Sequence, residues 1–209
     1  MSLLEIVFVV DDDEAVRDSL AALLEANGLQ ARTYPSAVAF LAALSPEFHG
    51  CVVADIRMPG MDGLELQNEL VRRAASLPMI IVTGHADVTL AVRAMKAGAV
   101  DFVEKPYDDD TLVDSIHRAL ETARRRERQG AFAKTARLRI ETLTPREREV
   151  MELLVDGAAN KVVAHKLGIS ERTVEVHRAR VMTKMHAKNV SDLVRAALIA
   201  VNASDTGNP

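Results

Sequence analysis

Thirteen residues in the first third of the chain do most to limit its fold: Cys51-Val52-Val53-Ala54-Asp55-Ile56-Arg57-Met58-Pro59-Gly60-Met61-Asp62-Gly63. The stretch opens as a short β-branched apolar run, the pattern of a strand buried on both faces of a parallel sheet. Asp55 ends the run, and Pro59-Gly60 and Asp62-Gly63 force a turn. A carboxylate therefore stands at the C-terminal mouth of a buried strand, which is where open α/β sheets bind their ligands. A strand-terminating aspartate alone is equally compatible with a purely local role.

The same pattern recurs along residues 1–121. Residues 5–10 form a second apolar run, and Asp11-Asp12-Asp13 stand at its exit. Further strands are expected at 29–33, 79–82 and 100–103, with helices at about 15–26, 37–44, 64–74 and 88–97 and another beginning after Asp108-Asp109-Asp110. Five strands alternating with five helices predict a parallel sheet covered on both faces. Right-handed crossovers would place the carboxyl ends of all five strands on one rim. Asp11, Asp12, Asp55, Thr83 and Lys105 all follow strands and would meet there. Crowded carboxylates repel one another, and a hard divalent cation, Mg²⁺ foremost, relieves the repulsion through one or two carboxylates plus water and phosphate oxygens. With a lysine ammonium and a threonine hydroxyl added, the set suits phosphoryl transfer. Asp55 is then the expected nucleophile, becoming an aspartyl phosphate.

Charge divides the chain. Residues 1–121 hold 20 acidic and 9 basic side chains, a net −11, whereas residues 122–209 hold 10 and 17, a net +7. A basic half favours a polyanion such as DNA. The hydrophobic fraction of 48% allows two cores, and aromatics at 3% make them aliphatic. The longest apolar runs are too short to span a membrane. Residues 1–5 lack the features of a signal peptide, and the single cysteine, Cys51, excludes an internal disulfide. A cytoplasmic location is expected. Cys51 is expected to be buried and inert, and His85 to be an exposed loop histidine.

In the basic half, Thr144-Pro145-Arg146-Glu147 is a helix start with a cap, a first-turn proline and an acid three residues after the cap. Gly157 ends that helix. A second is expected at 160–167, followed by the Gly168-Ile169-Ser170 turn. A third runs from Ser170 to about Met185, and a fourth is capped by Ser191 and carries Leu193, Val194, Ala197 and Leu198. Two short helices across a glycine-containing turn form the helix-turn-helix signature. Residues 123–141, basic and poor in large apolar groups, read as a linker, either a helical or a flexible spacer.

The pieces Val9-Val10-Asp11-Asp12-Asp13, the Asp55 to Gly63 stretch, Thr83-Gly84 and Lys105-Pro106 resemble the receiver domains of two-component response regulators. That resemblance implies a flavodoxin-like sheet in the order 2-1-3-4-5. It makes Asp55 the phosphoacceptor. Mg²⁺ would be held by Asp12, Asp55 and the main-chain carbonyl of Arg57, with Asp11 acting through water. Lys105 would pair with the phosphate, Thr83 would reorient towards it, and Phe102, rather than Tyr107, would be the switch aromatic. The Lys105-Pro106 bond would be cis. Arg57, Gly84 and His85 are placed to tune the lifetime of the phosphate.

The second half resembles the LuxR/FixJ-type DNA-binding domain through Leu143-Thr144-Pro145-Arg146-Glu147-Arg148-Glu149-Val150, Asn160-Lys161, Leu167-Gly168-Ile169-Ser170, Thr173-Val174-Glu175-Val176-His177 and Lys184-Met185. The resemblance implies that the helix after Ser170 enters the major groove. Glu175, Val176 and Ala179 would face the bases, although a basic residue often stands in the family where Glu175 does. Asn160, Lys161, Arg172, Thr173, His177, Arg178, Arg180, Lys184 and Lys188 would face phosphates. Together with Ala97-Gly98-Ala99-Val100-Asp101-Phe102, the two halves are most similar to the FixJ branch of response regulators. The expected organisation is a receiver at 1–122, a helical linker at 123–141, a helix-turn-helix domain at 142–203 and a tail at 204–209.

The implied partners are a sensor histidine kinase, double-stranded DNA, RNA polymerase and, once phosphorylated, a second copy of the chain. Pairing of receivers and release of a blocked DNA-binding domain both remain open as the output. The rim chemistry alone would also suit a Mg²⁺-dependent phosphatase, but nothing in the chain resembles a substrate-capping domain. A constitutive DNA binder with an inactive receiver is disfavoured by the complete acidic set. A ligand-sensing regulator of the quorum type is disfavoured by the acidic rim and few aromatics of residues 1–121.

Overall fold

The computed structural model describes residues 5–75, 77–84 and 88–205, the last five by backbone alone. His85 and the end of the expected tail lie outside them. The chain forms two compact units, 1–127 and 128–209.

In the first unit the elements are β1 (Ile6–Val10), α1 (Glu14–Ala26), β2 (Gln30–Tyr34), α2 (Ala37–Ala43), β3 (Gly50–Asp55), α3 (Gly63–Arg72), β4 (Met79–Thr83), α4 (Val88–Lys96), β5 (Asp101–Glu104) and the start of α5 (Asp109–Glu141). The strands form one five-stranded sheet in the order β2-β1-β3-β4-β5, every pair parallel. Alternation along each strand divides the core. Phe8, Val10, Val52, Ala54 and Ile81 face one side with Phe40, Leu66 and Ala94 of α2, α3 and α4. Val7, Val9, Cys51, Val53, Ile80 and Val82 face the other with Leu20 and Leu24 of α1 and Leu112 and Ile116 of α5.

Within this unit the aliphatic expectation holds on the second face but not on the first. On the first, Phe8 stacks on Phe48 with centroids 4.6 Å apart, and Tyr34 and Phe40 meet edge to face at 5.2 Å. Strand β2 begins at Gln30, one residue later than expected, because the Leu29 N–H is spent closing α1 on the Leu24 carbonyl at 2.9 Å. The thiol of Cys51, fully buried, is pushed up to about 12 by desolvation first and by the Glu5 charge second, which fits an inert core residue.

The second unit holds the end of α5, then α6 (Pro145–Val155), α7 (Asn160–Leu167), α8 (Glu171–Met185) and α9 (Val190–Asp205). Val150, Leu154, Val163, Val174, Val181, Met185 and Leu193 fill its core. The expected capping box of α6 is present: Thr144 Oγ1 accepts from the Glu147 N–H, and the Glu147 carboxylate accepts from the Thr144 N–H. Gly168 closes α7 at φ +65°, a left-handed position that favours glycine. Ser191 does not cap α9. The helix begins at Val190, and the Asn189 side chain accepts from the Asp192 N–H at 2.9 Å, so Asn189 serves as the cap. Asparagine and serine cap equally well, and the burial of Leu193 and Ala197 fixes which turn comes first. Leu198, expected on the apolar face, is 51% exposed.

Between the two cores the chain stays helical: α5 runs unbroken over 33 residues. Among the described residues, no helix is long and apolar enough to cross a membrane.

Candidate functional site

The rim at the carboxyl ends of β1, β3, β4 and β5 is built by neighbouring strands. Val10 pairs with Ala54, Asp55 with Val82 and Thr83 with Glu104, so residues 11, 55, 83 and 105 leave the sheet side by side. The Lys105 ammonium donates to Asp11 Oδ2 and to Asp55 Oδ1, both at 2.9 Å. Burial pulls the Lys105 pKa down, but the hydrogen bonds and charges of the two aspartates outweigh it and leave it above the ordinary lysine value. One cation thus offsets two carboxylates that would otherwise repel.

The other oxygen of Asp55 accepts from the Arg57 N–H at 2.6 Å, and Asp11 Oδ1 accepts from the Asp13 N–H at 3.0 Å. Thr83 is fully buried, and its carbonyl accepts from the Lys105 N–H at 2.7 Å. The Lys105–Pro106 bond is cis. The loop after Asp55 is held close: the Gly63 N–H donates to the Ile56 carbonyl at 3.0 Å, and a Cβ on Gly63 would stand 2.6 Å from the Asp55 carbonyl oxygen. Asp62 then caps α3 in a capping box with Glu65. Asp12 is exposed at the tip of the β1–α1 turn. Phe102 is half-buried, packed against the core face that α4 covers.

Among the described residues, no three or more His, Cys, Asp or Glu side chains gather to hold a metal ion by themselves. Mg²⁺ asks for less, since it binds through one or two carboxylates and keeps several waters. Donors at this rim are all oxygens, and two of its carboxylates already share a cation. The donor set therefore fits a hard divalent ion.

In the second unit, α8 buries Val174, Val181 and Met185 and turns Arg172, Thr173, Glu175, Val176, Ala179 and Arg180 outward. Ser170 caps it, accepting from the Thr173 N–H at 3.1 Å. Lys161 and Lys188 are exposed. Four of the expected phosphate contacts sit differently. Arg178 donates to Asn160 Oδ1 at 3.1 Å, tying α8 to the start of α7. Lys184 is drawn inward, donating to Glu147 Oε2 at 2.6 Å and to the Thr142 carbonyl at 3.0 Å. His177 is half-buried.

Comparisons with known proteins follow the same division. Residues 7–117 match the response regulator receiver domain, and residues 141–197 match the luxR family of bacterial regulatory proteins. The transcriptional regulatory protein FixJ of Azorhizobium caulinodans is 51% identical over 204 residues, 97% of each chain. FixJ of Rhizobium meliloti is 48% identical over 192 residues, 92% of this chain and 94% of that one. Among solved structures, full-length FixJ from B. japonicum is 47% identical, with a TM-score of 0.58 over 96% of this chain and 99% of that one. Response regulator StyR is 40% identical, with a TM-score of 0.77 over 92% and 98%.

The chain belongs to the FixJ-like response regulators. It joins a receiver domain to a LuxR-type DNA-binding domain, the composition of a phosphorylation-controlled transcription regulator, and its relatives are regulators rather than enzymes acting on a substrate. Such a regulator implies a histidine kinase and DNA as partners.

Several contacts that organise this FixJ-like regulator, beyond the Thr144–Glu147 capping box, were not visible in the sequence. The Arg17 guanidinium donates to the Asp11 carbonyl at 2.8 Å. Glu147 is 3% exposed and is held down to about 2 by the Lys184 hydrogen bond first and the Thr144 N–H second. Asp101 accepts from Ser115 at 2.6 Å and from Arg118 at 2.5 Å. Each joins a helix residue to a group on another element or loop, and charged residues on helices are too common for their spacing to single these out.

Proposed function

We propose that Asp55 is the phosphoacceptor through which a histidine kinase controls DNA binding by this chain. The observation that carries the reading is the Asp55 carboxylate itself, at the end of β3, with one oxygen on the Lys105 ammonium and the other on the Arg57 N–H. A carboxylate oxygen attacks the phosphorus of the donor, the bond from phosphorus to the donor's leaving group breaks, and an acyl phosphate remains on Asp55. Lys105 neutralises charge on the transferred group. Asp12, Asp55 and the Arg57 carbonyl would hold Mg²⁺, with Asp11 acting through water. When bound, that ion supplies further neutralisation of the phosphoryl oxygens. Slow hydrolysis of the acyl phosphate by the chain itself resets the site.

Thr83 and Phe102 relay the change to the face formed by α4 and β5, which then pairs with a second receiver or frees the DNA-binding domain. On DNA, Glu175, Val176 and Ala179 face the base edges. Lys161, Arg172, Thr173, Arg180 and Lys188 face phosphates, joined by Asn160, His177 and Arg178 at the edge of the surface. Lys184 contributes chiefly through the fold, since its ammonium is engaged by Glu147. RNA polymerase is the final partner and the cytoplasm the place of action.

The test is intact-mass spectrometry after incubation with acetyl phosphate and Mg²⁺. One added phosphoryl group, absent in Asp55→Asn and absent without Mg²⁺, is expected. A phosphoryl group retained in Asp55→Asn would refute the assignment.

A further inference from the structure

We propose that Arg17 is a positioning residue for divalent-cation binding at the rim, acting through the backbone that carries Asp12. The inference rests on the reading of the rim as a cation site. It assigns a role to a residue that itself contributes no ligand oxygen.

The turn after β1 is fixed at nearly every polar group of Asp11. Its N–H donates to the Tyr34 carbonyl at 3.2 Å, its Oδ1 accepts from the Asp13 N–H, and its Oδ2 accepts from Lys105. Its carbonyl accepts from Arg17 Nη1 at 2.8 Å. A peptide unit is planar, so a hydrogen bond to the Asp11 carbonyl also orients the N–H and Cα of Asp12. The Asp13 N–H, fixed on Asp11 Oδ1, does the same for the peptide on the far side. Asp12 is thus carried between two oriented planes, and its own side chain remains exposed. Arg17 is placed for this from the first turns of α1, where its N–H donates to the Asp13 carbonyl at 3.1 Å and Asp13 caps the helix. Of the groups holding these two planes, only the Arg17 side chain can be changed without removing a carboxylate of the rim.

Positioning and charge make opposite predictions. Arg17 is a cation beside an acidic cluster, so Coulomb's law alone says that removing it tightens binding of another cation. Removing an orienting hydrogen bond loosens it, because the ligand must then be ordered when the ion binds. The sign of the change therefore separates the two roles.

The full-length chain is titrated with Mg²⁺ while the backbone amides of residues 11–13 are followed by NMR, for the parent, Arg17→Ala and Arg17→Lys. Arg17→Ala is expected to raise the dissociation constant by about tenfold, the low end for an outer-shell partner. Arg17→Lys, which keeps the charge and a single donor, is expected to fall between Arg17→Ala and the parent. A thermal melt without Mg²⁺ checks that each variant is folded, and Arg17→Met, which keeps the stem, replaces Arg17→Ala if that variant is not. Binding as tight as the parent's, or tighter, in the neutral variant overturns the proposal. If the parent shows no saturable shift, the cation site and this role of Arg17 fall together, an outcome distinct from a change confined to the variants.

Discussion

At the residue scale, the rim is an arrangement in which one side chain serves two partners. Lys105 donates to both Asp11 and Asp55, and Asp11 is 3% exposed. Lys105→Met removes the ammonium and leaves two neighbouring carboxylates with their backbone donors. Breaking a largely buried ion pair in this way is expected to cost about 2–4 kcal/mol, read from urea unfolding, together with loss of phosphorylation at Asp55. Unchanged stability would mean that solvent screens the pair. Gly63 is the second sensitive position. Its missing Cβ would meet the Asp55 backbone at 2.6 Å, a contact that no side-chain rotation relieves. Gly63→Ala is therefore expected to displace the start of α3 from β3, to cost about 1–3 kcal/mol, and to slow phosphorylation by acetyl phosphate.

At the element scale, what the sequence revealed and what it hid have separate physical causes. Burial on both faces forces β1, β3 and β4 to be apolar throughout, and glycine or asparagine closes the helices, so the alternation and the rim were legible residue by residue. Asp11, Asp55, Thr83 and Lys105 could be placed because each ends or follows a strand. Hydrogen bonds between elements were not legible: nothing local says that Arg17 reaches back to Asp11, or that Lys184 turns away from solvent. The start of α9 was misjudged because Asn189 and Ser191 have nearly equal capping strength. The Glu147–Lys184 pair also makes a prediction in pH. Glu147 keeps its charge in the folded state down to about 2, whereas in the unfolded chain it takes up its proton near 4.5. Between those values the unfolded state binds more protons, so stability falls as pH falls. The helix-turn-helix unit is expected to lose this contribution progressively from about pH 4.5 to about pH 2. Glu147→Gln should be less stable than the parent at neutral pH and show a flatter profile across that window, followed by circular dichroism.

At the scale of the whole molecule, the charge division has a measurable consequence. The acidic half carries the carboxylate rim, while the basic half presents α8 with Arg172, Arg180 and the nearby Lys161 and Lys188 outward. Side chains that neutralise DNA phosphates release counterions, so binding must weaken as salt rises, with a slope set by the number of phosphates contacted. Exposed and inward-drawn cations should then separate in a salt series. Arg172→Ala and Arg180→Ala are each expected to lower the slope of log K against log salt by about 1 while leaving the fold intact. Lys184→Ala is expected to leave the slope unchanged and to lower the melting temperature, because its ammonium pairs with Glu147 rather than with solvent. A Lys184→Ala variant with a reduced slope and an unaltered melt would return Lys184 to the DNA surface and make its contact with Glu147 one that DNA displaces. The same series, repeated on protein phosphorylated at Asp55, separates the two routes to activation. Pairing of receivers would place two DNA-binding domains on one site and raise the slope towards twice its value. Release of a single blocked domain would raise affinity at an unchanged slope.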